Sequence, residues 1–296
     1  MSDHNSPLES GRICCHRCFV AHREDKPDAG RIENLYSYPI KGLSPRPLES
    51  VDLEAGQGFP GDRLFGFAKA NGGFDPQDPK PLPKTSFVVL MEHARLAGLI
   101  TEFDDSARVL TVLLDGQTQR FDLASPAGKE QAAAFLFEQL DLSEAERPQF
   151  VEGSPHRFTD VSVVSETMMN AVSLINLDSV EAFAGRVETP VDPLRFRANI
   201  YFRGWPAFSE LECIGRTVRI GDVLLKLLKR TQRCAATEVN PKTAERDLRV
   251  PFLLRKNYGH LDMGVYAEVV RGGVVRPGDR LILQEARVSD QVEGLF

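Results

Sequence analysis

Cysteine is sparse: the chain has five in 296 residues, at irregular spacing. That spacing does not make a disulfide framework, and a reducing cytoplasm is the expected compartment. No apolar run approaches the roughly 20 residues needed to span a bilayer, so no membrane span is expected. The opening Met1-Ser-Asp-His-Asn-Ser-Pro-Leu-Glu9 has neither the apolar core of a signal peptide nor the arginine-rich character of a transit peptide. Positive charge is not in excess. The net charge is −6, so no global basic field serves nucleic acid, and local basic patches matter more than the total. A P-loop, a Gly-x-Gly-x-x-Gly and a Gly-x-Ser-x-Gly are all missing, which removes the function classes those motifs signal.

What is present is the profile of a globular protein, 42% hydrophobic and 26% charged. The length suits two modest domains. Residues 1–30 read as a disordered tail with few aliphatics. Within it, Cys14-Cys15-His16-Arg17-Cys18 and His22 offer metal ligands, but no second pair exists to close a zinc site. Alternation predicts strands over Ile32–Pro39, Pro47–Glu54 and Leu64–Ala70, and such short strands between turn clusters suggest a barrel or sandwich. Pro76–Pro83 reads as a surface loop and Ser86–Ile100 as helical. Val109–Leu114 and Thr118–Leu123 form a hairpin about Asp115-Gly116, followed by an amphipathic helix over Lys129–Leu140. A first domain is placed at 31–153 and a second at 154–288, with a C-terminal tail at 289–296. The second domain has predicted strands over Val161–Val164, Arg195–Phe202, Cys213–Ile220, Val223–Lys229, Gly264–Val270 and Arg280–Leu283. It also has a helix over Leu177–Gly185 and a loop-rich excursion over Asn240–Leu261. The fold class is α+β, mainly β.

Cys234 is the residue around which chemistry can be organised. It follows the strand Val223–Lys229 and lies between Arg230 and Arg233. Nearby cations favour a thiolate over a thiol, and a thiolate is a nucleophile or a soft metal ligand. A small buried hydrophobe is the plain alternative. In Asp192-Pro-Leu-Arg-Phe-Arg-Ala-Asn199, a strand would put Arg195, Arg197 and Asn199 on one face. That face is either solvated or an anion-binding wall, since guanidinium groups grip phosphate in a fixed fork. Lys41 sits in the turn Tyr38-Pro-Ile-Lys41, and Arg63 in Gly61-Asp62-Arg63, where Asp62 can orient it. Neither Lys41 nor Arg197 has an obvious carboxylate partner at strand spacing. His260 and Asp262 stand two apart and suit a structural role better than acid–base work.

Arg230-Thr-Gln-Arg-Cys-Ala-Ala-Thr-Glu-Val-Asn-Pro resembles the cysteine motif of the MOSC family. So do Tyr38-Pro-Ile-Lys41, Gly61-Asp-Arg63, Arg195-Phe-Arg-Ala-Asn199 and Met263-Gly-Val-Tyr266, over a span of about Arg31 to Glu285. The family usually has serine after the lysine, where this chain has Gly42. The resemblance implies a MOSC β-barrel with an N-terminal MOSC-associated, barrel-like β domain. It also implies a molybdenum cofactor (Mo-molybdopterin) in the cleft between them; pyridoxal phosphate is not expected. Lys41, Arg63, Arg195, Arg197, Asn199, Thr231 and Cys234 would bind that cofactor, with Cys234 as metal ligand and catalytic residue. The implied reaction is two-electron reduction of a small N-hydroxylated substrate, or oxygen-atom transfer of the same kind. No cysteine follows Cys234, so the ferredoxin module that some relatives append is missing and a separate electron-donor protein is expected. Sulfur transfer through a Cys234 persulfide, or non-catalytic carriage of the cofactor, keeps the fold and changes the activity.

Overall fold

The structure is a computed structural model, and it describes residues 29–285. The N-terminal cysteine cluster with His22 and the expected tail at 289–296 lie outside the described residues. In chain order the strands are β1 (Gly30–Ser37), β2 (Arg46–Leu48), β3 (Val51–Leu53), β4 (Phe65–Lys69), β5 (Ile100–Asp104), β6 (Val109–Leu114), β7 (Gln117–Asp122) and β8 (Pro148–Glu152). Then come β9 (Val172–Asn176), β10 (Ile200–Arg203), β11 (Thr217–Ile220), β12 (Val223–Gln232), β13 (Asp262–Arg271), β14 (Gly273–Val275) and β15 (Arg280–Leu283). The helices are α1 (Pro126–Gln139), α2 (Glu166–Met169), α3 (Leu177–Val187) and α4 (Val250–Tyr258).

Seven strands close into a barrel in the order β10-β9-β13-β12-β11-β15-β1, because β1 also pairs with β10; β2 hangs on β1. Closure removes free edges. β12, which with β13 is one of the two ten-residue strands, buries every second residue from Val223 through Leu225 to Leu227 and exposes Lys226. A register shift against β13 between Leu227 and Lys229 then interrupts the period: Lys229 is exposed and Thr231 is buried. With Ile32, Leu35, Leu174, Ile200, Phe202, Ile220 and Val265, the side chains of Val223, Leu225 and Leu227 fill the barrel core. A second core, rich in phenylalanine (Phe65, Phe67, Phe103, Phe121, Phe150), joins the β4–β8 ladder, the β5-β6-β7 meander and α1. A third packs α3 and α4 against the barrel through Val180, Phe183, Phe196, Leu254 and Met263. Among the described residues, no helix is long and apolar enough to cross a membrane.

Several elements differ from the sequence reading. Ser86–Ile100 is not a helix. It holds two 3-10 turns, Lys84–Ser86 and Ala94–Gly98, with an extended buried stretch between them in which Phe87 bridges to Ala68 and Val88 N donates to Phe67 O. The β-branched pair Val88-Val89 suits that extended course better than a helix. Val161–Val164 is a turn, with Val163 and Val164 exposed. Cys213 ends a 3-10 turn, and only Thr217–Ile220 of its predicted strand pairs. Asn240–Leu261 contains α4, which has Pro251 in its first turn and ends on Gly259 at φ 78°. The strand expected from Arg195 starts only at Ile200.

Candidate functional site

Where a strand was expected, Pro193–Phe196 forms a 3-10 turn. Asp192 caps it by accepting from Leu194 N at 3.0 Å, and Arg197 follows in the left-handed region at φ 51°. Arg195, Arg197 and Asn199 therefore do not share a strand face. They still meet, because the turn folds them around one cleft of about 250 Å³. Lys41, Arg63, Thr231 and Cys234 line the same cleft. All seven nominated residues are thus brought together, from four separate segments. His260 and Asp262 lie elsewhere: His260 Nδ1 accepts from Asp262 N at 3.1 Å.

Each cation has a distinct anchorage. Lys41 follows β1, and Gly42 lets the chain turn behind it: Gly42 has φ 88°, and a Cβ there would meet Val88 O at 3.0 Å. Lys41 is buried, and its Nζ donates to Phe158 O at 2.9 Å and to Asp160 Oδ1 at 2.6 Å. Lys41 therefore does have a carboxylate partner, one that lies 119 residues away along the chain. Burial pushes its pKa down, and Asp160 only partly offsets that. Burial alone would raise the Asp160 carboxyl, but Lys41 and Lys84 hold it well below the usual carboxylate range. Arg63 pairs with Asp62 at 2.5 Å, as the sequence suggested, and its Nη2 donates to Arg197 O at 2.9 Å. Arg197 stacks over the Tyr38 ring at 4.3 Å and donates to Leu43 O. Burial pushes its pKa down to about 10. Arg195 pairs with Asp247 at 2.6 Å and donates to Glu238 O, which leaves its buried Nε without a partner.

Asn199 is a strut. Its Oδ1 accepts from Ser173 N and Oγ, and its Nδ2 donates to Tyr36 O. Thr231 Oγ1, at the inward-facing end of β12, is buried without a partner. Cys234 is half-buried and stands at the start of the 3-10 turn Ala235–Glu238, where its side chain makes no capping bond. The two neighbouring arginines do not reach its sulfur. Arg230 turns away to Leu211 O and Glu212. Arg233 points back under the cleft to Met263 O and Phe196 O, crossing the chain at Gly264, where a Cβ would meet Leu174 O at 2.4 Å. The cation in contact with sulfur is Lys84, with Nζ 3.2 Å from Sγ.

Sequence reasoning missed Lys84 and Asp160. One lies in a turn after a proline-rich stretch, the other beside a segment read as a strand. The only signal was residue type, which does not distinguish them from surface charge. Eight cations (Lys41, Arg63, Lys84, Arg195, Arg197, Lys229, Arg230, Arg233) and two carboxylates (Asp62, Asp160) line the cleft. Such a balance suits an anionic ligand, with Cys234 as the soft donor. The other free cysteine of the described residues, Cys213, is buried in the barrel core. Away from the cleft, Glu92, His93 and Glu146 lie close enough to hold a metal, but Lys69 pairs with both carboxylates and makes the group an ion network.

Residues 155–282 match the MOSC domain family. The chain is 27% identical over 289 residues to the mitochondrial amidoxime-reducing component 1 of Xenopus laevis, covering 86% of this chain and 82% of that protein. It is 22% identical over 267 residues to the molybdenum cofactor sulfurase of Caenorhabditis elegans, covering 84% of this chain but 36% of that protein. Among solved structures, the YUAD protein from Bacillus subtilis is similar at 15% identity and a TM-score of 0.42, covering 88% of this chain and 99% of that one.

Proposed function

Residues 155–282 are a MOSC domain, and from that premise we propose that the cleft holds a molybdenum cofactor and that the protein is an oxidoreductase. Its substrates are small N-hydroxylated compounds, and a separate donor protein supplies the electrons. The observation that carries this reading is the convergence of Lys41, Arg63, Arg195, Arg197, Asn199, Thr231 and Cys234 on one cation-rich cleft. The names of the two relatives, an amidoxime-reducing component and a molybdenum cofactor sulfurase, point the same way.

The residues fit a phosphorylated pterin with a sulfur-ligated metal. Arg195 Nε and Thr231 Oγ1 are buried donors without partners, a costly state that a polar ligand relieves. Arg197 carries a half-buried charge with no ion pair among the described residues, and Arg63 stands beside it. These two would take a phosphate or other anionic group. Cys234 Sγ would be the protein's ligand to molybdenum. When bound, the cofactor supplies the two-electron redox step. The chain holds the anion, offers the sulfur, and keeps Asp160 between Lys41 and Lys84 beside the reacting centre. Asn199 ties β1, β9 and the turn before β10 together, which fixes the cleft's width.

Metal analysis of the purified protein tests this. Roughly stoichiometric molybdenum is expected, with reductase activity that Cys234→Ser abolishes while the fold survives. A labile sulfane sulfur on Cys234 without molybdenum would overturn the reductase reading in favour of sulfur transfer. Bound cofactor without turnover would favour carriage.

A further inference from the structure

Lys84 belongs to neither the cysteine motif nor the barrel. Its 3-10 turn, Lys84–Ser86, is fastened on both sides. Leu82 and Phe87 pack on the cluster around Phe158, and Ser86 O lies so close to Gly72 that a Cβ there would come within 2.3 Å. The lysine therefore starts from a fixed backbone. Its side chain is 28% exposed, and its Nζ stands 3.2 Å from Cys234 Sγ and 3.4 Å from Asp160 Oδ2. Asp160 is held in turn by Lys41 at 2.6 Å. A chain of contacts thus runs from the turn after β1, through Asp160 and Lys84, to the sulfur.

An ordinary lysine after a proline-rich loop is solvated, with its long stem free to sample rotamers. This one gives two of its three N–H groups to partners inside the cleft. It is also the one cation in contact with the sulfur among the described residues, because Arg230 and Arg233 are engaged elsewhere.

We propose that Lys84 is a positioning residue for Cys234: its ammonium, anchored on Asp160, orients the sulfur in the cleft and makes negatively charged groups the favoured partners at that sulfur. Groups that bond to a ligand's side chain and fix its orientation are a general requirement of metal and nucleophile sites. The charge adds selection, since a unit charge a few ångströms away in a partly buried site changes local anion concentration several-fold. This deepens the function proposed above for the same cleft and rests on Cys234 being its working sulfur. The contact itself needs no bound cofactor.

The test uses the full chain prepared from cells grown without molybdate. Cys234 is alkylated with iodoacetate, which is anionic, or with iodoacetamide, which is neutral and of similar size. The Cys234 peptide is then quantified by mass spectrometry. Both reagents attack the same thiolate, so the ratio of their rates cancels the ionised fraction and reports the charge beside the sulfur. Lys84→Met is expected to lower the iodoacetate-to-iodoacetamide ratio about threefold or more, and Lys84→Arg to restore most of it. Added salt should lower the ratio in the unaltered protein more than in Lys84→Met. A Lys84→Met ratio equal to that of the unaltered protein, or a Lys84→Arg ratio as low as that of Lys84→Met, overturns the inference. Should Lys84→Met fail to fold, Lys84→Gln is the second neutral variant, and the salt dependence of the unaltered protein stands as its own check. Molybdenum content is read separately. Molybdenum with a Lys84-independent ratio overturns this inference alone; a Lys84-dependent ratio in a protein that never takes up molybdenum overturns only the proposed function.

Discussion

Arg197 carries the least compensated charge in the cleft. Burial works against it, its hydrogen bond goes to a backbone carbonyl, and the like charge of Arg63 acts on it more strongly than the opposite charge of Asp62. An anion from outside the chain offsets that cost. Replacing Arg197 with alanine is therefore expected to lower cofactor occupancy about tenfold, from the loss of one charge-assisted contact worth about 1.5–3 kcal/mol. Stability of the cofactor-free chain should be unchanged or improved. Lys41 differs, because it already has Asp160. Lys41→Ala should also lower occupancy, and a double-mutant cycle with Arg197→Ala should be non-additive if both touch one anionic group. Full occupancy in both single variants, by metal and pterin content, would make these residues structural cations. Gly42 gives a second expectation at this scale. The related motif has serine there, yet restoring it should destabilise this chain. Gly42→Ser meets a left-handed backbone and a carbonyl 3.0 Å from the new Cβ, at a cost of about 1–2 kcal/mol in thermal or urea unfolding. Residue chemistry alone marked Cys234 and the Arg195–Asn199 run; Lys41, Arg63 and Thr231 were nominated because their stretches resemble MOSC motifs. Lys84 and Asp160 were not, because their importance comes from meeting residues 150 and 119 positions away.

Elements were legible where burial follows one period and hidden where capping decides. β12 and β15 sit close to the apolar runs Val223–Lys229 and Arg280–Leu283 that the sequence reading took as strands. The Arg195–Asn199 stretch also alternates, but Asp192 and Pro193 start a 3-10 turn that overrides the pattern. A similar polar junction follows β10. Glu210 is buried in the 3-10 turn Ser209–Cys213 and accepts from Ser179 of α3 and from Asn176 at the end of β9. Burial pushes its carboxyl up to about 7, against those hydrogen bonds. A raised acid holds its proton more tightly in the folded chain, so folded molecules bind more protons between the ordinary glutamate range and about pH 7. Stability from this group is therefore complete below the ordinary range and is lost as pH rises through about 7. Between pH 5 and 8, the unaltered protein should lose up to about 3 kcal/mol more than Glu210→Gln, which keeps an oxygen for Ser179 but cannot ionise. Parallel stability–pH curves for the two, by urea unfolding, would show that Glu210 does not titrate there.

At the scale of the whole molecule, the two halves are interleaved. The sequence reading divides the chain near residue 153, and the matched MOSC domain starts at 155. Yet β1 is the strand that closes the barrel, paired with β10 on one side and β15 on the other, and it brings Ile32 and Leu35 into the core. β3 likewise pairs with β14. Alternation alone could show that Ile32–Pro39 is a strand but not which sheet it joins, since pairing across 160 residues leaves no local mark. A fragment of residues 154–288 therefore lacks a barrel stave. It would expose the edges of β10 and β15 and lose two fully buried aliphatic side chains, each worth about 1.5–3 kcal/mol of burial. That sum is a large part of a domain's net stability, so the fragment is expected to aggregate or remain unfolded. Adding a peptide of residues 29–54 in trans should restore folding, because it supplies β1, β2 and β3 together with Lys41. The check is circular dichroism and sedimentation of the fragment with and without the peptide. A monomeric, cooperatively unfolding 154–288 fragment would mean that the barrel closes without β1. The cleft would then be a contact between two independent domains, no longer part of one interleaved fold.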